Sequence, residues 1–183
     1  VMRNYDYLVL GSGIAGLVYA LQVSQKGKVA IVTKRGLFDC NTDYAQGGIA
    51  AVLDARDTFE QHVHDTWIAG AELGKENVIR RIIEEGPKLI QYLIDLGTDF
   101  TLIDESYDSR LENLSLTKEG GHSQRRVAYA ADSTGHQIME ALVRNCKNNP
   151  NIDIFEHHIA IDLITQHHIL QEDGFIAGIT CWG

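Results

Sequence analysis

The chain has 183 residues, 44% hydrophobic and 22% charged, the balance of a globular protein with a buried core. It carries 16 Lys and Arg against 25 Asp and Glu, a formal net charge of −9 with no long basic run, which speaks against a nucleic-acid surface. Cys40, Cys146 and Cys181 are dispersed without a CxxC pair, so neither a disulfide framework nor a zinc site is indicated, and no apolar stretch reaches the roughly 18 residues of a membrane span. Met2-Arg3-Asn4 leads straight into a strand pattern with no signal-peptide core. The expectation is a soluble, cytoplasmic protein that binds neither nucleic acid nor membrane.

Residues 5–10 form a short apolar, β-prone run. Residues 14–25 follow with helical spacing at Ile14, Leu17, Val18 and Leu21, and 29–33 are a second, β-branched run. Residues 5–34 therefore read as a βαβ unit with parallel strands and a right-handed crossover. Residues 36–57 are irregular and rich in Gly, Asp, Asn and Ala, and so long a segment inside a compact domain usually serves a function.

A helical pattern covers 58–96. Thr58 with Gln61 resembles a capping box, and Phe59, Val63, Trp67 and Ala71 line one face, where Trp67 reads as core. Gly86-Pro87 is expected to break the run, with Leu89, Leu93 and Leu96 continuing a second helix to Gly97. Residues 98–118 read as extended segments and turns. A helix over 132–149 presents Ile138, Met139, Leu142 and Val143 and stops at Asn148-Asn149-Pro150. Residues 152–155, 159–164, 168–170 and 175–181 read as short strands, most simply a β-meander over 152–181.

Gly11-Ser12-Gly13-Ile14-Ala15-Gly16 is a G-x-G-x-x-G between strand and helix. The first glycine permits a tight turn, the second lets backbone approach a pyrophosphate, and the third lets helix and strand pack closely. The helix N-terminus offers free N–H groups to the anion. An acidic residue normally takes the ribose hydroxyls about twenty positions on, but here strand two ends in Thr33-Lys34-Arg35. Thr33 can bond a hydroxyl and Lys34 or Arg35 can meet a phosphate. Taken alone, that ending also suits NADP.

Residues 41–51, Asn41-Thr42-Asp43-Tyr44-Ala45-Gln46-Gly47-Gly48-Ile49-Ala50-Ala51, resemble the signature of the succinate dehydrogenase/fumarate reductase flavoprotein family. His64-Asp65-Thr66-Trp67-Ile68-Ala69-Gly70-Ala71 is similar too. Residues 119–126 (Glu-Gly-Gly-His-Ser-Gln-Arg-Arg) and 130–135 resemble the soluble branch of that family, which oxidises L-aspartate at the head of bacterial NAD synthesis. The resemblance implies an α/β, Rossmann-like FAD-binding domain of the fumarate reductase type, with FAD contacted by Ser12 to Ala15, Lys34 and 41–48. Gly47 and Gly48 carry no side chain to obstruct a flavin ring, and Asn41, Thr42 and Gln46 offer donors and acceptors. The membrane-bound respiratory relatives have at position 41 a histidine that holds FAD covalently; Asn41 implies a non-covalent cofactor.

Glu119 is the one catalytic candidate. In the family reading its carboxylate meets the α-ammonium group of aspartate, which succinate lacks; the competing reading is a solvated glutamate paired with Lys118, Arg125 or Arg126. His122 either lines the site or bonds backbone. The other histidines suggest no metal: His157-His158 and His167-His168 are adjacent in expected strands, and His62 and His64 are set about 200° apart on a helix.

The resemblance further implies that the chain is the N-terminal piece of a longer enzyme. The later strands completing the FAD sheet, the proton-transferring arginine and the capping domain would lie beyond residue 183. Residues 36–131 would wrap the flavin and 152–181 would lead towards the cap. The implied partners are L-aspartate, with fumarate or oxygen as acceptor, and the next enzyme of the quinolinate pathway. Alternatives are a fumarate reductase or succinate dehydrogenase flavoprotein subunit, an isolated non-catalytic domain that loses flavin, or an NAD(P)-dependent dehydrogenase.

Overall fold

The computed structural model describes residues 3–106, 110–131, 133–165 and 176–182. The elements run β1 (Tyr7–Leu10), α1 (Ile14–Val23), β2 (Val29–Val32), β3 (Ile49–Ala50), α2 (Phe59–Ala69), α3 (Glu76–Asp95), β4 (Leu116–Thr117), β5 (Val127–Ala128), α4 (Thr134–Lys147), β6 (Ile152–Phe155), β7 (Ile159–Thr165) and β8 (Ile176–Trp182). They fall into two units, one of residues 1–43 with 142–183, the other of residues 44–141.

In the first unit a parallel sheet has the order β1-β2-β6. Tyr7 pairs with Val29, and Val29 with Ile152, and the register runs on to Val32 beside Phe155. All four residues of β2 are buried, as a continuous Val-Ala-Ile-Val run should be in the centre of a parallel sheet. Leu17, Ala20 and Val23 are the buried residues of α1.

The meander expected over 152–181 does not form. β6 does not pair with its successor but crosses over to lie parallel to β2. The asparagines read as a helix stop also pin that strand: Asn149 Nδ2 donates to Ser24 Oγ (2.9 Å), Asn151 Nδ2 to the Ser24 carbonyl (2.9 Å), and Val29 N–H to the Asn151 carbonyl (2.8 Å). β7 and β8 form a separate antiparallel hairpin. His157 and His158 sit in the β6–β7 turn rather than a strand, with His157 at φ 59°. The strand expected at 168–170 and the pair His167-His168 lie outside the described residues.

In the second unit Thr58 caps α2, accepting from Gln61 N–H at 3.1 Å. The helical run breaks at 70–75, where Ala71 (φ 51°) and Glu72 (φ 61°) are left-handed, and not at Gly86-Pro87, which α3 passes straight through. A proline inside a helix costs about 3 kcal/mol in a lost hydrogen bond and a ring clash. The offset is visible in the packing, because Ile83 before the proline and Ile90, Leu93 and Ile94 after it are all buried. The irregular segment contains β3, which pairs antiparallel with β5; β5 in turn pairs with β4. The first half of α4 buries Ile138, Met139 and Ala141. From Leu142 the helix counts with the first unit, where Cys146 Sγ lies 3.8 Å from the Leu17 carbonyl. Among the described residues no helix is long and apolar enough to cross a membrane.

Candidate functional site

In the first unit the glycine turn is built as its spacing requires. Gly11 has φ 101° and donates its N–H to the Val32 carbonyl at 2.8 Å. A Cβ on Gly16 would stand 2.5 Å from the Gly11 carbonyl oxygen and 3.1 Å from Val9 Cγ1, so only glycine lets α1 start this close to β1. Gly13 caps α1 with extended backbone and no side-chain bond. The Ile14 N–H reaches Thr42 Oγ1 at 3.2 Å, which brings the loop after β2 to the helix N-terminus. Ala15, Lys34 and Asn41 are exposed around this turn, and Gly13, Ile14, Gly16 and Asp43 are half-buried.

Two expected cofactor residues face inward. Ser12 is 3% and Thr33 6% exposed, and their hydroxyls are 3.1 Å apart. Thr33 also donates its N–H to Phe155 and accepts from His158 N–H. Its polar groups are engaged in holding β2, the glycine turn and the strand after α4 together. Lys34, directly after Thr33, is exposed.

In the second unit residues 44–48 are all exposed, and the Ala45 carbonyl is held by Gly135 N–H at 2.9 Å. The two glycines differ. A Cβ on Gly48 would collide with the Ala128 carbonyl and with Val127, so Gly48 is required by the β3–β5 pairing itself. A Cβ on Gly47 would meet only Glu119 Oε1, at an ordinary 3.8 Å. Gly47 thus presents open backbone beside the Glu119 carboxylate.

Glu119 begins a tight turn. His122 N–H donates to the Glu119 carbonyl at 3.2 Å, and Gly121 at the third position has φ 85°, the arrangement of a type II turn that favours glycine there. Glu119 is exposed and, among the described residues, its carboxylate has neither ion pair nor hydrogen bond. The competing reading, a glutamate tied up by Lys118, Arg125 or Arg126, is not what the side chains do.

Arg126 is engaged elsewhere. Fully buried, it donates from Nε and Nη2 to the two oxygens of Asp57 (2.8 and 2.7 Å) and from Nη1 to Asp65 Oδ2 (2.7 Å). Asp65 Oδ2 also accepts from the N–H and hydroxyl of Ser123, at 2.8 and 2.7 Å, and Oδ1 accepts from Gln61 Nε2 at 2.9 Å. Burial opposes ionisation of Asp65, but the Ser123, Gln61 and Arg126 bonds outweigh it and hold the carboxyl well below the usual carboxylate range. His122 Nδ1 lies 3.3 Å from Arg126 Nη1. A guanidinium can only donate, so in this contact Nδ1 is the acceptor. Buried His62 stacks edgewise on His122 with centroids 5.6 Å apart, and its Nδ1 has no partner among the described residues. Burial, with Arg126 and His122 nearby, lowers its pKa to about 4. A cavity of about 240 Å³ beside this cluster is lined by Asp54, Arg56, Asp57, Lys118 and residues 123–125.

Sequence reasoning assigns Asp57 no role, weighs His62 only as a metal ligand and Arg126 only as a partner of Glu119, and includes Asp65 and Ser123 only within motifs. The available signal was Gln61 and Asp65 at i, i+4 on the α2 face opposite the apolar stripe, and an arginine directly before the buried pair Val127-Ala128. Among the described residues no group of His, Cys, Asp and Glu could hold a metal ion.

Residues 6–182 match the profile of the FAD binding domain family. The chloroplastic L-aspartate oxidase of Arabidopsis thaliana is 48% identical over 163 residues, covering 89% of this chain and 24% of that protein. The L-aspartate oxidase of Vibrio cholerae serotype O1 is 46% identical over 177 residues, covering 97% of this chain and 33% of that protein. Among solved structures, quinol fumarate reductase of E. coli superposes with a TM-score of 0.82 at 27% identity, over 97% of this chain and 29% of that one. The chain therefore spans between a quarter and a third of the curated relatives it matches. Its fold is that of the fumarate reductase type of flavoprotein. The glycine turn and the extended Gly13 cap at the start of α1 fit that cofactor, and the chain belongs to the FAD binding domain family, with FAD as its cofactor.

Proposed function

We propose that this chain is the FAD-binding N-terminal part of a flavoprotein that oxidises L-aspartate. The observation that carries the reading is the difference in similarity: 46–48% identity to L-aspartate oxidases against 26–27% to fumarate reductase and succinate dehydrogenase structures of the same fold. When bound, FAD supplies the two-electron acceptor for conversion of L-aspartate to iminoaspartate, with oxygen or fumarate as final acceptor.

The chain's own residues have separable tasks in this reading. N–H groups at the start of α1, in the turn Gly11 to Gly16, hold the pyrophosphate, and Thr42 and Lys34 assist. Ser12 and Thr33 keep that turn in place through their buried contact. Asn41, Asp43, Tyr44, Ala45 and Gln46 offer polar groups and backbone to the flavin, and Gly47 offers clear backbone. The unpaired Glu119 carboxylate receives the α-ammonium group of the substrate, an interaction worth more than a neutral hydrogen bond because both partners are charged. Succinate brings no cation to that position. His122, which closes the Glu119 turn through its N–H, lines the site. Compartment and partners follow the same reading: cytoplasm, small-molecule substrates, and the next enzyme of the quinolinate pathway as a recipient of product.

The test uses the full-length protein with bound flavin under anaerobic conditions. Aspartate is expected to bleach the flavin absorbance, and succinate to leave it. Bleaching by succinate alone would favour the runner-up, a fumarate reductase or succinate dehydrogenase flavoprotein; no bleaching by aspartate would overturn the reading.

A further inference from the structure

We infer that Asp65 is a positioning residue for Glu119: from helix α2 it clamps the N–H and hydroxyl of Ser123, and so fixes the Glu119-Gly120-Gly121-His122 turn that sets the substrate-facing carboxylate beside Gly47. This rests on the reading of Glu119 as the group that meets the substrate ammonium.

The chain of contacts is short and continuous. Glu119 is exposed and makes no bond through its own carboxylate among the described residues, so its position depends on its backbone. That backbone is held by the Glu119 carbonyl accepting from His122 N–H. The turn has little stiffness of its own, since Gly120 and Gly121 are its central residues and glycine backbone is the most costly to order. Its far end, however, is fixed twice at Ser123, by bonds of 2.8 and 2.7 Å to one oxygen, Asp65 Oδ2. Asp65 cannot swing away, because Gln61 Nε2 holds Oδ1 and Arg126 Nη1 holds Oδ2. Arg126 is itself fixed on both oxygens of Asp57. A flexible glycine turn is thus tied at its exit to a rigid, buried, fully bonded carboxylate on a helix, the support a substrate-orienting group needs.

A carboxylate suits this position and an amide does not. Oδ2 accepts three donors at once, and an Asn at position 65 would give one acceptor oxygen and set an NH2 against either Gln61 or Ser123 and Arg126. Ser123→Ala is milder, since it removes one of the two bonds and leaves the N–H in place.

The experiment combines a double-mutant cycle with hydrogen exchange on the full-length, FAD-loaded protein. Ser123→Ala is expected to raise KM for aspartate about fivefold, the worth of one hydrogen bond, with a smaller change in kcat, while Ser123→Thr restores it. In a Glu119→Gln background the same Ser123→Ala change should have no further effect on KM, because the residue whose position it sets is gone. Independently of turnover, amide exchange over 117–126 should rise at least about tenfold in Ser123→Ala and in Asp65→Asn, with α1 unchanged. Additive effects in the cycle, or unchanged exchange in both variants, would overturn the inference. A wild-type protein that fails to oxidise aspartate but shows the exchange change would instead count against the functional reading alone.

Discussion

Arg126 and Asp57 form a two-pronged pair with both side chains removed from solvent, Nε to Oδ2 at 2.8 Å and Nη2 to Oδ1 at 2.7 Å. Sixty-nine positions apart, they join the segment before α2 to the start of β5. Because the third bond of Arg126 goes to Asp65, one guanidinium ties together the strand, the helix and the 119–123 turn.

Removing Asp57 leaves the buried Nε and Nη2 donors of Arg126 without acceptors while Asp65 still balances the charge, which costs about 1–3 kcal/mol. Asp57→Ala is therefore expected to lower the unfolding free energy of the full-length protein by that amount, measured by urea denaturation. Arg126→Lys should also destabilise, because one ammonium cannot reproduce a planar fork on two carboxylates. Glu119→Gln, at an exposed and unpaired position, should stay within about 0.5 kcal/mol of wild type. Equal losses for Asp57→Ala and Glu119→Gln would contradict this division between a buried supporting cluster and an exposed, unpaired carboxylate.

The cluster also predicts a pH dependence. His62 has a folded-state pKa of about 4, below the roughly 6.5 of an unfolded histidine. The unfolded chain therefore takes up this proton first, and stability is lost as pH falls from about 6.5 to about 4. Asp65, whose carboxyl is held low, adds stability that is present above about pH 4 and is lost below it. Urea midpoints from pH 8 to pH 4 should fall more steeply for wild type than for His62→Phe, which has no such proton to gain. Parallel curves for the two would show that His62 does not titrate as its burial requires.

Local patterning made the first unit largely legible. Gly11 to Gly16, the Ile14–Leu17–Leu21 spacing and the apolar β2 run each state one element, and the three sit next to each other in sequence. The partner of β6 was not legible, because its pairing with β2 spans more than a hundred residues and an apolar tetrapeptide does not encode a neighbour. Pro87 misled for a related reason. Proline acts on the local backbone, while the buried stripe Ile83, Ile90, Leu93 and Ile94 acts through tertiary packing, and packing won. In the candidate site, exposed motif residues such as Glu119 could be named from their setting. The residues that hold them, Asp57, Asp65 and Arg126, are charged residues whose burial appears only when distant segments meet.

Asn41 gives a prediction about attachment. It is exposed next to Thr42, whose hydroxyl meets the start of α1, and an amide nitrogen lacks the nucleophilicity of an imidazole. FAD is expected to be released in full when the purified holoprotein is precipitated with acid, leaving a colourless pellet. A pellet that retains flavin fluorescence after washing would show a covalent bond.

Gly16 in the first unit, and Gly47 and Gly48 in the second, should separate packing from cofactor access. A methyl group on Gly16 would press on the Gly11 carbonyl, and one on Gly48 on the Ala128 carbonyl. In both cases backbone must move, so Gly16→Ala and Gly48→Ala are expected to lose stability by about 1–3 kcal/mol, the usual cost of overpacking, and flavin with it. Gly47 has no such neighbour; its added Cβ would make only an ordinary contact with Glu119. Gly47→Ala should therefore fold with stability near wild type yet retain less FAD, the outcome expected under the proposal that the flavin lies against this backbone. The flavin-to-protein absorbance ratio and the urea midpoint, read on the same preparations, distinguish the two behaviours. If Gly47→Ala keeps its full flavin content, the cofactor does not approach that backbone, and residues 44–48 must be assigned some other role.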